Sequence, residues 1–200
     1  MRLVVLGGFG AIAWLGMALL EALRLPFPRP PLTTGEWIAF WIAVLVSAHL
    51  VLVVHELGHV VGGLLAGYRV QRVTVGPLSV ELGDGRVRIR LNRELREYGG
   101  VVRMAERADG APRLRAGIVA LAGPVASVAA GALVVGAAAA WLADPPISAV
   151  GFRGYLIAKL AAVFGVGSVV VGLANLLPVS FSGRLSDGAR LWVLVRGEEA

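Results

Sequence analysis

"VLVVHELGHVVGGLLAG", residues 51–67, sets a His-Glu-x-x-His pattern inside an otherwise apolar run. On a helix, His55 and His59 lie one turn apart and differ in direction by about 40°, so both imidazoles can reach one ion. Glu56 points about 60° away from His59, a direction suited to taking a proton from zinc-held water rather than to ligation. With three histidines in 200 residues, the pattern arises by chance in roughly a few chains per thousand. Ionisable residues in a membrane-type segment are expensive and usually functional. A buried polar cluster that merely fixes helix packing is the plainer alternative, but three such residues within five positions fit it poorly.

The rest of the chain is greasy in the same way. Hydrophobic residues make up 57% and charged residues 16%, against about a quarter charged in a soluble domain. The length suits one domain, residues 1–200. The absence of cysteine excludes disulfides and thiolate ligands, so a metal must be held by His and carboxylates.

A membrane-spanning helix needs about 20 mainly apolar residues. Four stretches qualify, at about 3–20, 37–65, 114–142 and 155–177. The first follows Arg2 and has the look of a signal peptide, but its apolar run is long and no clean small-x-small site follows, so it is expected to be a retained anchor. The net charge of +6 comes from 18 arginines and a single lysine, Lys159. Eleven of the arginines lie between Arg69 and Arg115, with Arg2, Arg184, Arg190 and Arg196 on the same side if there are four spans. The positive-inside rule then places both termini and the 69–115 segment in the cytoplasm, and accounts for the basic charge without nucleic acid. Lys159 is expected to snorkel outward from the fourth helix. The composition, rich in Ala, Val, Gly and Arg, suits a GC-rich bacterial genome and hence a bacterial cell membrane.

Between the second and third spans, "LSVELGDGRVRIRLNR" (Leu78 to Arg93) alternates apolar and polar residues around Gly83-Asp84-Gly85, a hairpin signature. Val87, Ile89 and Leu91 share one face, and Arg86, Arg88 and Arg90 the other. Such a hairpin can rest on the membrane with its apolar face down. It either packs on the chain's own helices, the plainer reading, or offers an edge strand to an extended peptide. The fold class expected is a membrane all-α core of about four transmembrane helices with a cytoplasmic-side, membrane-associated β-hairpin over about 78–93.

Catalytic zinc takes three protein ligands and leaves the fourth place to water. His49 lies about 9 Å along the helix from His55 and cannot join the same ion if the helix is continuous. It either lines a polar path to the site or is a satisfied packing residue. Asp187 follows the fourth helix in "NLLPVSFSGRLSDGARLWVLV", where Pro178, Gly183 and Gly188 allow the chain to turn back. Spacing leaves two readings open: a metal ligand, or, with Ser186, a cap for a short helix at 189–195.

Taken together, "HELGH" on the second helix, "AGP" (Ala122 to Pro124) on the third, and "NLLP" then "SDG" after the fourth resemble the site-2 protease family of intramembrane zinc metalloproteases. The resemblance covers most of the chain, in a minimal form without an added peptide-binding domain. It implies one zinc ion per chain, held by His55, His59 and Asp187, with Glu56 as the acid–base residue. It implies that Asn175 steadies substrate or site by hydrogen bonding, and that Gly123-Pro124 is a helix-packing element. The twelve-residue step from Asn175 to Asp187 is longer than in the compact form of the family, so extra residues must loop out.

The expected activity is hydrolysis of peptide bonds in membrane-embedded protein substrates by zinc-activated water, as in regulated intramembrane proteolysis. The partners are the lipid bilayer and a transmembrane protein or peptide. A membrane zinc hydrolase of a non-protein substrate and a non-catalytic zinc-binding scaffold are the alternatives. An intact Glu56 argues against the scaffold, since binding alone does not need that carboxylate.

Overall fold

The computed structural model describes residues 33–83, 86–94, 97–105, 112–142, 151–181 and 184–197. Helix α1 (Thr34–Leu65) is followed by strands β1 (Arg69–Val75), β2 (Leu78–Gly83), β3 (Arg86–Leu91) and β4 (Val101–Ala105). Then come helices α2 (Pro112–Leu142) and α3 (Gly151–Asn175), a two-residue pair β5 (Ser180–Phe181) and β6 (Arg184–Leu185), and helix α4 (Asp187–Arg196). The span expected at 3–20 lies outside the described residues.

Among the described residues, three helical segments are long and apolar enough to cross a membrane: Thr34–Leu65, Arg113–Trp141 and Leu156–Asn175. Each is apolar around most of its circumference, and large side chains such as Ile42, Leu45, Leu57, Val61, Leu133 and Ile157 are exposed. That is the pattern of a helix solvated by lipid. The chain is thus an integral membrane protein.

Local signals set the helix ends. Thr33 and Glu36 form a capping box at the start of α1: Thr33 N–H donates to Glu36 Oε2 at 2.8 Å and Glu36 N–H to Thr33 Oγ1 at 3.3 Å. At the other end, Gly67 takes φ +83°. Its N–H donates to Leu64 O, and Tyr68 N–H donates to Gly63 O. This paired pattern closes the helix and turns the chain into β1.

The chain divides into two compact units, Met1–Val51 with Ala129–Val169, and Leu52–Val128 with Val170–Ala200. In the first, Phe40, Val44 and Val163 form a small core flanked by Leu156 and Leu160. Ser47 Oγ donates to Leu160 O at 3.3 Å. Lys159 is buried with a partner rather than snorkelling outward.

The second unit contains the sheet, in the order β3-β2-β1-β4 and antiparallel throughout. The expected hairpin is present as β2 and β3, with Leu78 opposite Leu91 and Gly83 opposite Arg86. It is half of a larger sheet: β1 pairs with both β2 and β4, with a bulge between Val70 and Arg72. All six residues of β3 are exposed, so within the described structure the hairpin's outer strand does not pack on a helix. In this unit α1 and α2 also approach closely. A Cβ on Gly58 would stand 2.5 Å from Ala122 O, so only glycine lets α1 approach α2 this closely.

Candidate metal centre

His55, Glu56 and His59 lie in the second half of α1, and all three are buried. The two rings are 4.9 Å apart between centroids and nearly perpendicular. Their Nε2 atoms face each other at 3.2 Å. Asp187 Oδ2 completes a triangle, 3.1 Å from His55 Nε2 and 3.3 Å from His59 Nε2. The far side of each ring is fixed by α2: His55 Nδ1 lies 3.0 Å from Ser127 Oγ, and His59 Nδ1 lies 2.7 Å from Val119 O. A carbonyl can only accept, so His59 carries a proton on Nδ1 and turns Nε2 inward.

These three atoms suit a divalent metal. Bonds of about 2.0–2.1 Å in a tetrahedral site put neighbouring ligand atoms roughly 3.3 Å apart, close to the 3.1–3.3 Å seen here. The set could hold one metal ion, and the Nδ1 contacts supply the outer support that metal-binding histidines require. Asp187 is prepared for such a charge. Its burial alone would raise the carboxyl pKa, but in the metal-free protein the hydrogen bonds it accepts from His55 and His59, and the attraction of those rings when protonated, outweigh this and hold it at about 2.

Asp187 reaches the histidines because each residue of Ser-Asp-Gly has a separate task. Ser186 is the N-cap of α4, its Oγ accepting from Ala189 N–H at 3.1 Å. The same Oγ donates to Leu177 O at 2.6 Å and accepts from Val179 N–H at 3.2 Å, tying α4 to the end of α3. Gly188 abuts Leu176 O, and no side chain fits between them. Capping therefore falls to Ser186, which leaves the Asp187 carboxylate free to point at the histidines. The long step from Asn175 is absorbed by β5 and β6, which pair Ser180 with Leu185 and bring Val179 back to Ser186.

Two glycines make room for the site. A Cβ on Gly123 would collide with the His59 ring, 2.5 Å from Cε1 and closer still to Nε2. A Cβ on Gly100, where φ is +114°, would stand 2.5 Å from Glu56 Cδ and closer still to Oε1. Gly123 belongs to the Ala-Gly-Pro element, for which the family resemblance implied helix packing; a Cβ added there would meet the imidazole first. Gly100, Ser127 and the Val119 carbonyl escaped the sequence reading, because nothing local links them to the histidines.

A cavity of about 900 Å³ opens on this centre, lined among others by Glu56, Tyr68, Gly100, Asn175, Arg184 and Asp187. Asn175 lines it, but its Nδ2 donates to Val171 O at 3.1 Å, back onto its own helix. His49 is not among the lining residues.

The arrangement defines a class: an integral membrane protein with a buried His, His, Asp group beside a glutamate. Residues 40–154 match the model of peptidase family M50, more than half of the chain, and the chain belongs to that family, the site-2 protease family. The match takes in His55, Glu56 and His59 and stops short of Asn175 and Asp187. No curated protein and no solved structure gives a match.

Proposed function

We propose that the protein is an intramembrane zinc endopeptidase that cuts membrane-embedded protein substrates. The observation that carries this is the convergence of His55 Nε2, His59 Nε2 and Asp187 Oδ2 within 3.3 Å of one another beside Glu56, in a roomy cavity of a protein with lipid-facing helices. His55, His59 and Asp187 would hold the zinc. When bound, it supplies Lewis acidity toward the scissile carbonyl and lowers the pKa of water toward roughly 7.

The chain's own groups do the rest. Glu56 takes the proton of the attacking water on its carboxylate and passes it to the departing amine. Val119 O and Ser127 Oγ keep both imidazoles aimed inward. Asn175, on the cavity wall, hydrogen-bonds the substrate backbone once its amide is released from Val171 O. A helical substrate hides its peptide bonds in internal hydrogen bonds and must unwind to be cut. The outer edge of β4, whose Val101 and Val102 line the cavity, offers ladder hydrogen bonds to the unwound stretch. The arginines of the 69–115 segment support a cytoplasmic sheet by the positive-inside rule and, with four spans, cytoplasmic termini, so that water enters from that side.

The test compares wild type and Glu56→Gln in host membranes by terminal-peptide mass spectrometry, alongside the zinc content of the purified chains. Equal zinc in both, with a membrane-bound stub accumulating only in the variant, is the expected result. Undiminished cleavage by Glu56→Gln overturns the proposal.

A further inference from the structure

The described residues hold a second cavity, of about 290 Å³, on the polar face of the sheet. Its walls follow from strand register. Arg88, Glu81, Arg72 and Arg103 stand opposite one another across β3, β2, β1 and β4. Like charges directly opposed, as Arg72 and Arg103 are, destabilise a sheet unless a counter-charge bridges them. Buried Glu97 does so, accepting from Arg72 Nη2 at 2.8 Å and Arg103 Nη2 at 2.7 Å. Arg86 completes the wall. Four guanidinium groups thus meet two carboxylates, Glu81 and Glu97, leaving a charge of +2. Adding neighbouring Arg90 and Asp84 by sequence leaves that balance unchanged. Arg86 and Arg88 are exposed and have no carboxylate partner among the described residues.

The other face of β3 is apolar and open: Val87 is 65%, Ile89 71% and Leu91 74% exposed. The sheet also begins four residues after the last residue of membrane helix α1. The sheet thus combines an exposed apolar face on β3 with guanidinium groups, Arg86 and Arg88, that no carboxylate pairs among the described residues, a few residues in sequence from membrane helix α1. Guanidinium binds phosphate through paired, charge-assisted hydrogen bonds, and basic clusters beside a membrane helix attract anionic headgroups.

We infer that the arginine-walled cavity between β1, β2, β3 and β4 binds the phosphate of an anionic phospholipid headgroup. Arg86 and Arg88 supply the attraction, and Arg72 and Arg103, held by Glu97, supply the fixed wall. The inference rests on the chain lying in a bilayer and is independent of its being a peptidase.

The test is native mass spectrometry of the full chain in detergent with added phosphatidylglycerol, phosphatidylcholine or inorganic phosphate. Wild type is expected to retain one phosphatidylglycerol at least about tenfold more tightly than phosphatidylcholine, with the preference falling as salt rises. R86Q/R88Q is expected to abolish the preference, while R69Q/R93Q, the same loss of charge outside the cavity, keeps it. Equal retention of both lipids by wild type overturns the inference, as does a preference that survives R86Q/R88Q or falls equally in R69Q/R93Q. Displacement of phosphatidylglycerol by inorganic phosphate at matching concentration overturns a lipid source in favour of a soluble phosphate. Zinc content stays constant in all three chains, so this outcome is separable from that of the metal centre.

Discussion

Gly123→Ala adds one methyl group to α2 and nothing else, and the structure says where that methyl must go. Built on the backbone, it falls 2.5 Å from His59 Cε1 and 2.8 Å from Cδ2, whereas ordinary contacts of this kind are 3.4–4 Å. The ring or the helix must therefore yield by roughly 1 Å. A metal site tolerates only about ±0.2 Å in its ligand distances, so the displacement is several times what the centre can absorb. His59 cannot retreat freely, since its Nδ1 is held by Val119 O at 2.7 Å. Losing an outer support of a metal-bound histidine weakens binding by about 10–100-fold; displacing the ligand itself is expected to reach at least the upper end, about 2.7 kcal/mol. The assay is chelator competition for zinc on purified protein. Gly136→Ala is the control: it lies in the same helix with nothing within 4 Å of the added Cβ, and is expected to bind zinc as wild type does. Wild-type zinc affinity in Gly123→Ala refutes the close packing of Gly123 on His59.

Glu56→Gln removes a proton acceptor but no proposed ligand, so zinc should stay at one per chain while turnover falls by about 10²–10⁴-fold or more; metal analysis and a cleavage assay read both. Asp187→Asn and Ser186→Ala should separate two tasks in adjacent residues. The first loses most zinc, whereas the second keeps it and costs about 1 kcal/mol in thermal or denaturant unfolding. Gly100→Ala pushes a methyl group into the Glu56 carboxylate and strains a left-handed backbone; normal zinc with severely reduced turnover is expected, and unchanged turnover rules out the contact.

The parts of this fold that the sequence revealed are those whose physics is local. Apolar runs of membrane length announce α1, α2 and α3, and the alternation around Gly83-Asp84-Gly85 announces the pairing of β2 with β3. Strand β1 was hidden because the bulge at Gln71 breaks its alternation, and β4 because its five residues pair with a strand some 30 positions earlier. The same divide runs through the metal centre. His55, Glu56 and His59 share one helical turn and were legible by spacing. Asp187, 132 positions from His55, had two readings of equal standing, and resemblance alone favoured the ligand. The structure explains why spacing could not choose: Ser186 is the cap, and its neighbour Asp187 aims its carboxylate at the histidines. Ser127 and the Val119 carbonyl meet the histidines across 72 and 60 positions, distances at which no periodicity survives.

Charge offers a further reason for the proposed ligand set. A membrane segment tolerates ionised side chains only where they are compensated. Two carboxylates, Glu56 and Asp187, are buried here beside two imidazoles that are neutral when they ligate. One divalent cation brings that group to zero net charge. A third histidine in place of Asp187 would leave a surplus of one positive charge in the same volume, and a second carboxylate ligand would leave a negative one. In the proposed ligand set, the carboxylate at the head of α4 thus completes the coordination and balances the His55, Glu56, His59 and Asp187 group against one divalent cation. It also explains why the chain commits a cap, a glycine contact and a small hairpin to delivering a single side chain from the far end of the sequence.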